Sequence, residues 1–148
     1  MKKLLAVASV GGHWVQLMRL RPAFEGFVVS YVTTERGLAM DVGEERFYCV
    51  RDASMSKRFQ MIVMAFQVFW VLIRVRPDVV ISTGAAPGFF ALFFGRLLGV
   101  KTVWVDSIAN SEELSLAGSK VGRWADHWLT QWKHLEKKNG PKYLGAVI

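Results

Sequence analysis

The sequence contains a single cysteine, Cys49, among its 148 residues. One cysteine excludes an intrachain disulfide and a cysteine-rich metal site, and it is typical of proteins from a reducing compartment. The chain also lacks a dense run of lysine and arginine, a helix-turn-helix pattern and an aromatic RNA-binding signature. We therefore expect no cysteine-rich metal site and no nucleic-acid partner, although the net charge is +7.

The N-terminus lacks the features of a signal peptide. Two lysines precede only about five apolar residues before Ser9, which is too short for the apolar core of a signal peptide, and no cleavage site follows. We predict that this segment is the first β-strand. We therefore expect a cytoplasmic location.

The sequence does contain an alternation of short apolar strands and helix-length segments. The predicted strands are Lys3–Ala8, Phe27–Val32, Phe47–Val50, Asp78–Ser82, Thr102–Val105, His127–Thr130 and a closing strand at Gly145–Ile148. The predicted helical segments are His13–Leu20, Arg36–Val42, Lys57–Val75, Pro87–Leu98 and Val121–Ala125. This alternation predicts an α/β fold, with a Rossmann-like parallel sheet covered by helices on both faces. We expect one domain over residues 1–148.

Glycine-containing loops follow the first and fourth predicted strands. At a strand-to-helix junction, glycines let the backbone approach a ligand, and unpaired amides face any anion. In doubly wound sheets these two strands are neighbours at the point where ligands bind. We predict one crevice that holds a phosphate, although two ordinary tight turns are the alternative. The predicted phosphate-binding residues are Ser9, Gly11, Gly12, Ser82, Thr83 and Gly84.

The predicted helix Lys57–Val75 has more apolar residues than one core-facing stripe requires. Its polar residues Gln60, Gln67 and Arg74 are spaced by seven and share one narrow stripe. The uninterrupted apolar part is shorter than the roughly 20 residues that span a bilayer. We predict that this region lies on a membrane surface, and burial against a partner chain is the alternative. The predicted membrane-contacting residues are Phe69, Trp70, Arg74 and Phe93.

Three short motifs carry a resemblance to the acceptor domain of GT-B glycosyltransferases. They are the Gly11-Gly12-His13 loop, the turn at residues 82–87 and the Trp104-Val105-Asp106-Ser107 stretch. Over its whole length, including residues 126–132, the chain is most similar to the membrane-side subunit of the split UDP-N-acetylglucosamine transferase of dolichol-linked oligosaccharide synthesis. It also resembles the bacterial PssD-type proteins of polysaccharide biosynthesis.

The resemblance implies the N-terminal half of a GT-B enzyme, active only with a second chain that binds the UDP-sugar donor. It implies a polyprenyl-diphosphate-linked acceptor and a peripheral position at the cytoplasmic face of the cytoplasmic membrane. It implies that the chain needs neither a metal nor a cofactor. In this interpretation the chain contributes acceptor binding and membrane association.

The resemblance also suggests roles for individual residues. Gly11, Gly12 and His13 match the glycine-histidine loop that lies by the acceptor diphosphate in peptidoglycan glycosyltransferases. Asp106 stands where related enzymes more often have a glutamate. His13 and Asp106 are therefore the two candidates for the base that takes a proton from the attacking sugar hydroxyl. For Asp106, the alternative is a helix or turn cap, and Ser115 is interpreted as a loop or capping residue.

Two other functions stay open on the sequence alone. A stand-alone nucleotide-binding Rossmann domain would have an acidic residue after its second strand, and Glu35 lies near that spacing. The third glycine of the dinucleotide fingerprint is missing, however. The other function is a non-catalytic membrane scaffold that recruits a catalytic partner, in which case changes at His13 and Asp106 would leave sugar transfer intact.

Overall fold

The architecture is described from a computed structural model, which defines residues 1–54 and 56–147. Within these residues, seven strands form one parallel sheet in the order β3-β2-β1-β4-β5-β6-β7. The strands are β1 Lys3–Ala8, β2 Val28–Thr33, β3 Arg46–Cys49, β4 Val79–Gly84, β5 Lys101–Val105, β6 His127–Thr130 and β7 Lys142–Tyr143. The predicted parallel α/β sheet is confirmed, and β1 and β4 are neighbours as expected.

The helices lie on both faces of this sheet. They are α1 Gly12–Arg19, α2 Arg58–Val75, α3 Ala85–Leu97 and α4 Leu116–Lys120. Short 3₁₀ segments cover Arg21–Phe24, Arg36–Val42, Val121–Trp124 and Lys133–Leu135. The predicted helical segments are confirmed with shifts of one or two residues at their ends. The helix α4 is not among the predicted helical segments, because it lies inside the long, mainly polar stretch of residues 107–120.

The central strand β1 shows why the chain folds into three layers. Leu5 and Val7 contribute to the core beneath α2 and α3, whereas Leu4 and Ala6 contribute to the core beneath α1. Successive side chains of a strand point to opposite faces, so a strand that is apolar throughout must be covered on both. The uninterrupted apolar sequence of β1 therefore reflects its position at the centre of the sheet.

The junction between β4 and α3 differs from the prediction. The strand extends to Gly84, because Ser82 pairs with Val7 and Gly84 pairs with Ala8 across an irregularity in the β1–β4 ladder. Ser82, Thr83 and Gly84 are therefore the end of a strand and not a free turn. The helix α3 begins at the next residue.

The prediction of a closing strand at Gly145–Ile148 is wrong for its described part, and Ile148 lies outside the described residues. The last strand is β7, which pairs with β6. At Gly145 the backbone has φ = +129°, which ends the extended run. The backbone of Val147 is hydrogen-bonded to side chains and not to another strand. The Val147 N–H donates to Oε1 of Gln131 at 2.7 Å, and the Val147 carbonyl accepts from Nε2 of Gln16 at 3.4 Å.

The helix α2 has two apolar stripes. The inner stripe is buried against the sheet and consists of Met64, Val68, Val71, Leu72 and Val75. The outer stripe is exposed and consists of Phe59, Ile62, Phe66, Phe69, Trp70 and Ile73. Among the described helices, α2 is long and apolar enough to cross a membrane by length and composition. Because its inner stripe packs in the core, it is an integral part of the domain.

We expect the two stripes of α2 to differ sharply in their contribution to stability. Met64→Ala removes a side chain that is 0% exposed and should lower the free energy of unfolding by about 2–5 kcal/mol. Phe66→Ala, on the same helix but 72% exposed, should change it by about 0.5 kcal/mol or less. Urea denaturation of both variants measures the difference. Equal losses would contradict the assignment of the two stripes.

Candidate functional site

The candidate site lies at the carboxyl ends of β1 and β4. Gly11 precedes α1 with φ = +90°, and Gly12 is the first residue of that helix. Both are exposed, and a Cβ atom added at either position would meet nothing within 4 Å. Ser9, directly after β1, is half-buried. The space beside this loop is therefore open to a ligand.

His13 joins the two loops. Its Nδ1 lies 3.2 Å from the carbonyl oxygen of Thr83, and the Thr83 hydroxyl donates to the carbonyl oxygen of His13 at 2.6 Å. A carbonyl oxygen can only accept, so a hydrogen bond from the ring requires the proton on Nδ1. In the neutral imidazole, Nε2 then carries the lone pair and is the atom able to accept a proton.

Gly84 provides the space that the imidazole occupies. A Cβ atom at this position would lie 2.2 Å from Nδ1 of His13. The backbone there has φ = +151°, and Ala85 follows with φ = +67°. Positive φ is unfavourable for a residue with a side chain, and such conformations cluster at functional sites. The junction between β4 and α3 is thus shaped around the His13 ring.

Ser82 and Thr83 are fully buried. The Ser82 hydroxyl accepts a hydrogen bond from the amide of Gly84 at 3.1 Å, and a Cβ atom on Gly88 would lie 1.8 Å from the same oxygen. The Thr83 hydroxyl is directed to His13. The side chains of these two predicted phosphate-binding residues therefore organise the junction from beneath its surface.

Asp106 is placed differently from His13. It is 1% exposed, and its carboxylate accepts hydrogen bonds from the Trp104 indole at 3.0 Å and from the Ser115 amide and hydroxyl at 3.0 and 2.6 Å. A Cβ atom on Gly118 would lie 2.2 Å from Oδ1, so α4 packs directly on this carboxylate. The geometry favours the capping interpretation of Asp106 over the general base.

Ser115 is confirmed as a capping residue. Its hydroxyl accepts from the amide of Gly118 at 2.9 Å, which satisfies a free N–H of the first turn of α4. The same hydroxyl donates to Asp106. The sequence signal for α4 was this serine three residues before a glycine, and it was too weak to separate the helix from the surrounding polar segment.

An open pocket of about 500 Å³ lies beside His13. We call it the lateral pocket. The first turns of α3 and the start of α2 supply Met61, Ala85, Ala86, Phe89 and Phe90. The α4 segment supplies Ser115, Leu116, Ala117 and Lys120. Sequence reasoning missed the lateral pocket because one of its walls is α4, which the sequence did not predict.

Three further titratable residues, Glu35, His127 and His134, lie on the surface. Glu35 is exposed after β2, at the start of a 3₁₀ segment. His127 and His134 are exposed, and Nε2 of His134 contacts the carbonyl of Ser111. Among residues 1–54 and 56–147, no group of three or more His, Cys, Asp or Glu side chains is arranged to hold a metal ion.

Comparison with known proteins identifies the family of this chain. Residues 33–147 match the family model described as "Oligosaccharide biosynthesis protein Alg14 like". The chain belongs to this family. The glycine-histidine loop lies before the matched region, so the interpretation of His13 depends on its geometry.

Two relatives are each about one-third identical to the chain over the aligned residues. It is 34% identical to the UDP-N-acetylglucosamine transferase subunit ALG14 of Rattus norvegicus, over 98% of this chain and 82% of that protein. It is also 34% identical to the Mus musculus subunit of the same name, over 67% of this chain and 49% of that protein. The match thus spans about half the length of the mouse relative. The family resemblance predicted from the sequence is confirmed.

Solved structures with the same fold are larger enzymes. The crystal structure of MurG from Acinetobacter baumannii superposes with a TM-score of 0.78 and 14% identity, over 95% of this chain and 45% of that chain. The UDP-GlcNAc 2-epimerase of Methanocaldococcus jannaschii superposes with a TM-score of 0.64 and 13% identity, over 86% of this chain and 39% of that chain. The predicted fold, equivalent to half of a GT-B glycosyltransferase, is confirmed.

We expect Asp106→Asn to destabilise the protein. The amide group keeps one acceptor oxygen but presents an NH₂ group to donors from Trp104 and Ser115, so a buried donor loses its partner. The free energy of unfolding should fall by about 1–3 kcal/mol in chemical denaturation. The exposed Asp52→Asn is the matched control and should leave it unchanged within about 0.5 kcal/mol. A fully stable Asp106→Asn variant would argue against the anchoring role.

Proposed function

We propose that this chain is the acceptor-binding subunit of a two-chain glycosyltransferase. The assembled enzyme transfers a sugar from a UDP-sugar to a polyprenyl-diphosphate-linked saccharide in polysaccharide biosynthesis. The observation that carries the proposal is the position of His13, with Nε2 free to accept a proton, beside an open glycine loop at the β1–β4 switch point. Family membership supports the same conclusion.

The proposal of a second chain rests on how the relatives are named. The relatives in rat and mouse are named as subunits of a transferase. We place the UDP-sugar site on the partner subunit and the acceptor site on this chain, so that the crevice forms between them.

The reaction follows from this arrangement. An acceptor hydroxyl attacks the anomeric carbon of the UDP-sugar, and a new glycosidic bond forms while the bond to UDP breaks. The hydroxyl proton passes to Nε2 of His13. The Thr83 carbonyl accepts a hydrogen bond from Nδ1–H of His13. This bond orients the imidazole ring and stabilises the imidazolium that forms. The open amides at Gly11 and Gly12 are suited to the acceptor diphosphate.

The transfer assay with the assembled pair tests the role of His13. We expect His13→Ala to lower the transfer rate roughly 10²–10⁴-fold, because general-base assistance is lost. His134→Ala, on the exposed surface, is the matched control and should retain full activity. The measurement follows transfer from UDP-N-acetylglucosamine to lipid-linked saccharide in membranes that contain both chains.

Two outcomes of this assay would contradict the proposal. Unchanged transfer by His13→Ala would support the alternative of a non-catalytic scaffold that recruits its partner. Robust transfer by this chain alone would contradict the division of the enzyme into two subunits. A rate loss accompanied by unfolding would show in the melting curve, so each variant is first compared with the wild type by circular dichroism.

We further propose that the outer stripe of α2 binds the membrane surface. Trp70 is 58% exposed and Phe69 lies beside it, while Arg58, Arg74 and Arg76 are exposed at the two ends of the helix. Aromatic and basic residues together suit the boundary between lipid tails and anionic head groups. Phe93 contributes less than expected, because it is half-buried against Trp124 with ring centroids 5.1 Å apart.

Vesicle co-sedimentation tests the membrane surface. We expect the double variant Phe66→Glu, Trp70→Glu to lose binding to vesicles of phosphatidylglycerol and phosphatidylethanolamine by about tenfold or more, because it places two charges where apolar side chains would enter the lipid. Met40→Glu, at an exposed apolar position outside α2, is the control and should bind as the wild type does. The proposal would be contradicted if the double variant bound vesicles normally and instead no longer bound the partner subunit.

A further inference from the structure

The lateral pocket has a composition that does not suit a saccharide. Its walls are mainly aliphatic and aromatic side chains from α2, α3 and α4. A sugar ring needs several hydrogen-bonding partners, because its hydroxyl groups lose water when they are buried. The volume of about 500 Å³ nevertheless lies within the range of small-molecule sites, roughly 300–1,000 Å³. The pocket is therefore suited to an apolar part of a ligand.

We infer that the lateral pocket holds the head-proximal isoprene units of the prenyl-diphosphate acceptor, with Lys120 facing the diphosphate. The inference rests on the proposed function and adds a specific site for the lipid portion of the substrate. In this inference the protein itself binds part of the isoprenoid chain, and the bilayer holds the rest.

The polar groups at the pocket are few and fit this ligand. The Ser115 hydroxyl is already engaged, because it donates to Asp106 and accepts from the Gly118 amide. His13 and Lys120 are the remaining polar lining side chains. Lys120 is exposed and forms no salt bridge with a carboxylate of the described residues. An apolar wall beside a cation matches a molecule with an apolar chain and an anionic head.

The lateral pocket brings together groups that suit each part of the acceptor. In the ligand, the isoprene chain is joined to the diphosphate and the diphosphate to the sugar. In the protein, the apolar wall of Phe89 and Phe90 shares its pocket with Lys120 and with His13. In the inferred complex the chain contacts the apolar wall, the diphosphate pairs with Lys120, and the first sugar lies near His13.

The pocket also borders the helix that carries the outer stripe. Met61 lines the pocket, and the adjacent residue Ile62 belongs to the exposed stripe. An isoprenoid chain that leaves the pocket would meet the apolar surface proposed to lie on the membrane. The chain could thus remain in an apolar environment from the diphosphate to the bilayer, which avoids the cost of exposing it to water.

Binding of farnesyl diphosphate, a soluble prenyl diphosphate, tests the inference on the purified full chain. We expect Leu116→Glu to weaken binding by about tenfold or more, because it removes apolar contact and repels the diphosphate. Leu116 is 53% exposed, so the change should not affect folding. Leu144→Glu, at a position 80% exposed and outside the pocket, is the matched control and should bind as the wild type does. Isothermal titration calorimetry measures both affinities.

A second variant separates the head group from the chain. We expect Lys120→Ala to weaken the binding of farnesyl diphosphate by about tenfold and to leave the binding of farnesol unchanged, because farnesol has no charge to pair with the lysine. Several results would overturn the inference: no binding of farnesyl diphosphate, equal weakening by Leu144→Glu, or binding of inorganic diphosphate as tight as that of the farnesyl compound.

The proposed function and the pocket can fail separately. If the assembled pair transfers sugar to the prenyl-linked acceptor but Leu116→Glu binds farnesyl diphosphate normally, the pocket assignment is wrong and the function stands. If farnesyl diphosphate binds as expected but the assembled pair transfers no sugar to any prenyl-linked acceptor, the proposed function is wrong.

Discussion

The reciprocal hydrogen bonds between His13 and Thr83 are the constraint on which the rest of the site depends. They join the start of α1 to the end of β4 and require glycine at position 84, because the imidazole occupies the space of a Cβ atom. The same contacts leave Nε2 as the proton acceptor. A structural role and the proposed chemical role are therefore combined in one ring, since the bond that positions His13 also selects its tautomer.

A second buried interaction supports the far side of the crevice. The Asp106 carboxylate holds the start of α4 through Ser115, and α4 carries Leu116 and Lys120 into the lateral pocket. The two candidate bases thus lie in different surroundings. His13 borders open space, and Asp106 is enclosed by hydrogen-bond donors. Burial with three hydrogen bonds makes Asp106 suited to fixing a helix, because a carboxylate that is already fully engaged has little reach toward a substrate.

The apolar residues of α2 are divided between the core and the exposed face of the helix. One stripe of α2 lies in the core, and the outer stripe remains exposed, with basic residues at both ends. The periodicity of the helix predicted the surplus but not its distribution, since nearly every position of α2 is apolar. Packing against the sheet selected Met64 for the core and left Phe66 at the surface.

The sequence by itself determined the parallel α/β sheet and the neighbouring positions of β1 and β4, and it limited Ser115 to a loop or capping role. Each depends on local signals: strand periodicity, glycine positions and the preference of serine for helix starts. The tertiary structure alone decided that His13 meets Thr83, 70 residues away, that Asp106 is enclosed, and that three helices form the lateral pocket. Contacts between residues distant in the chain depend on how the elements pack, and local periodicity carries no information about that packing.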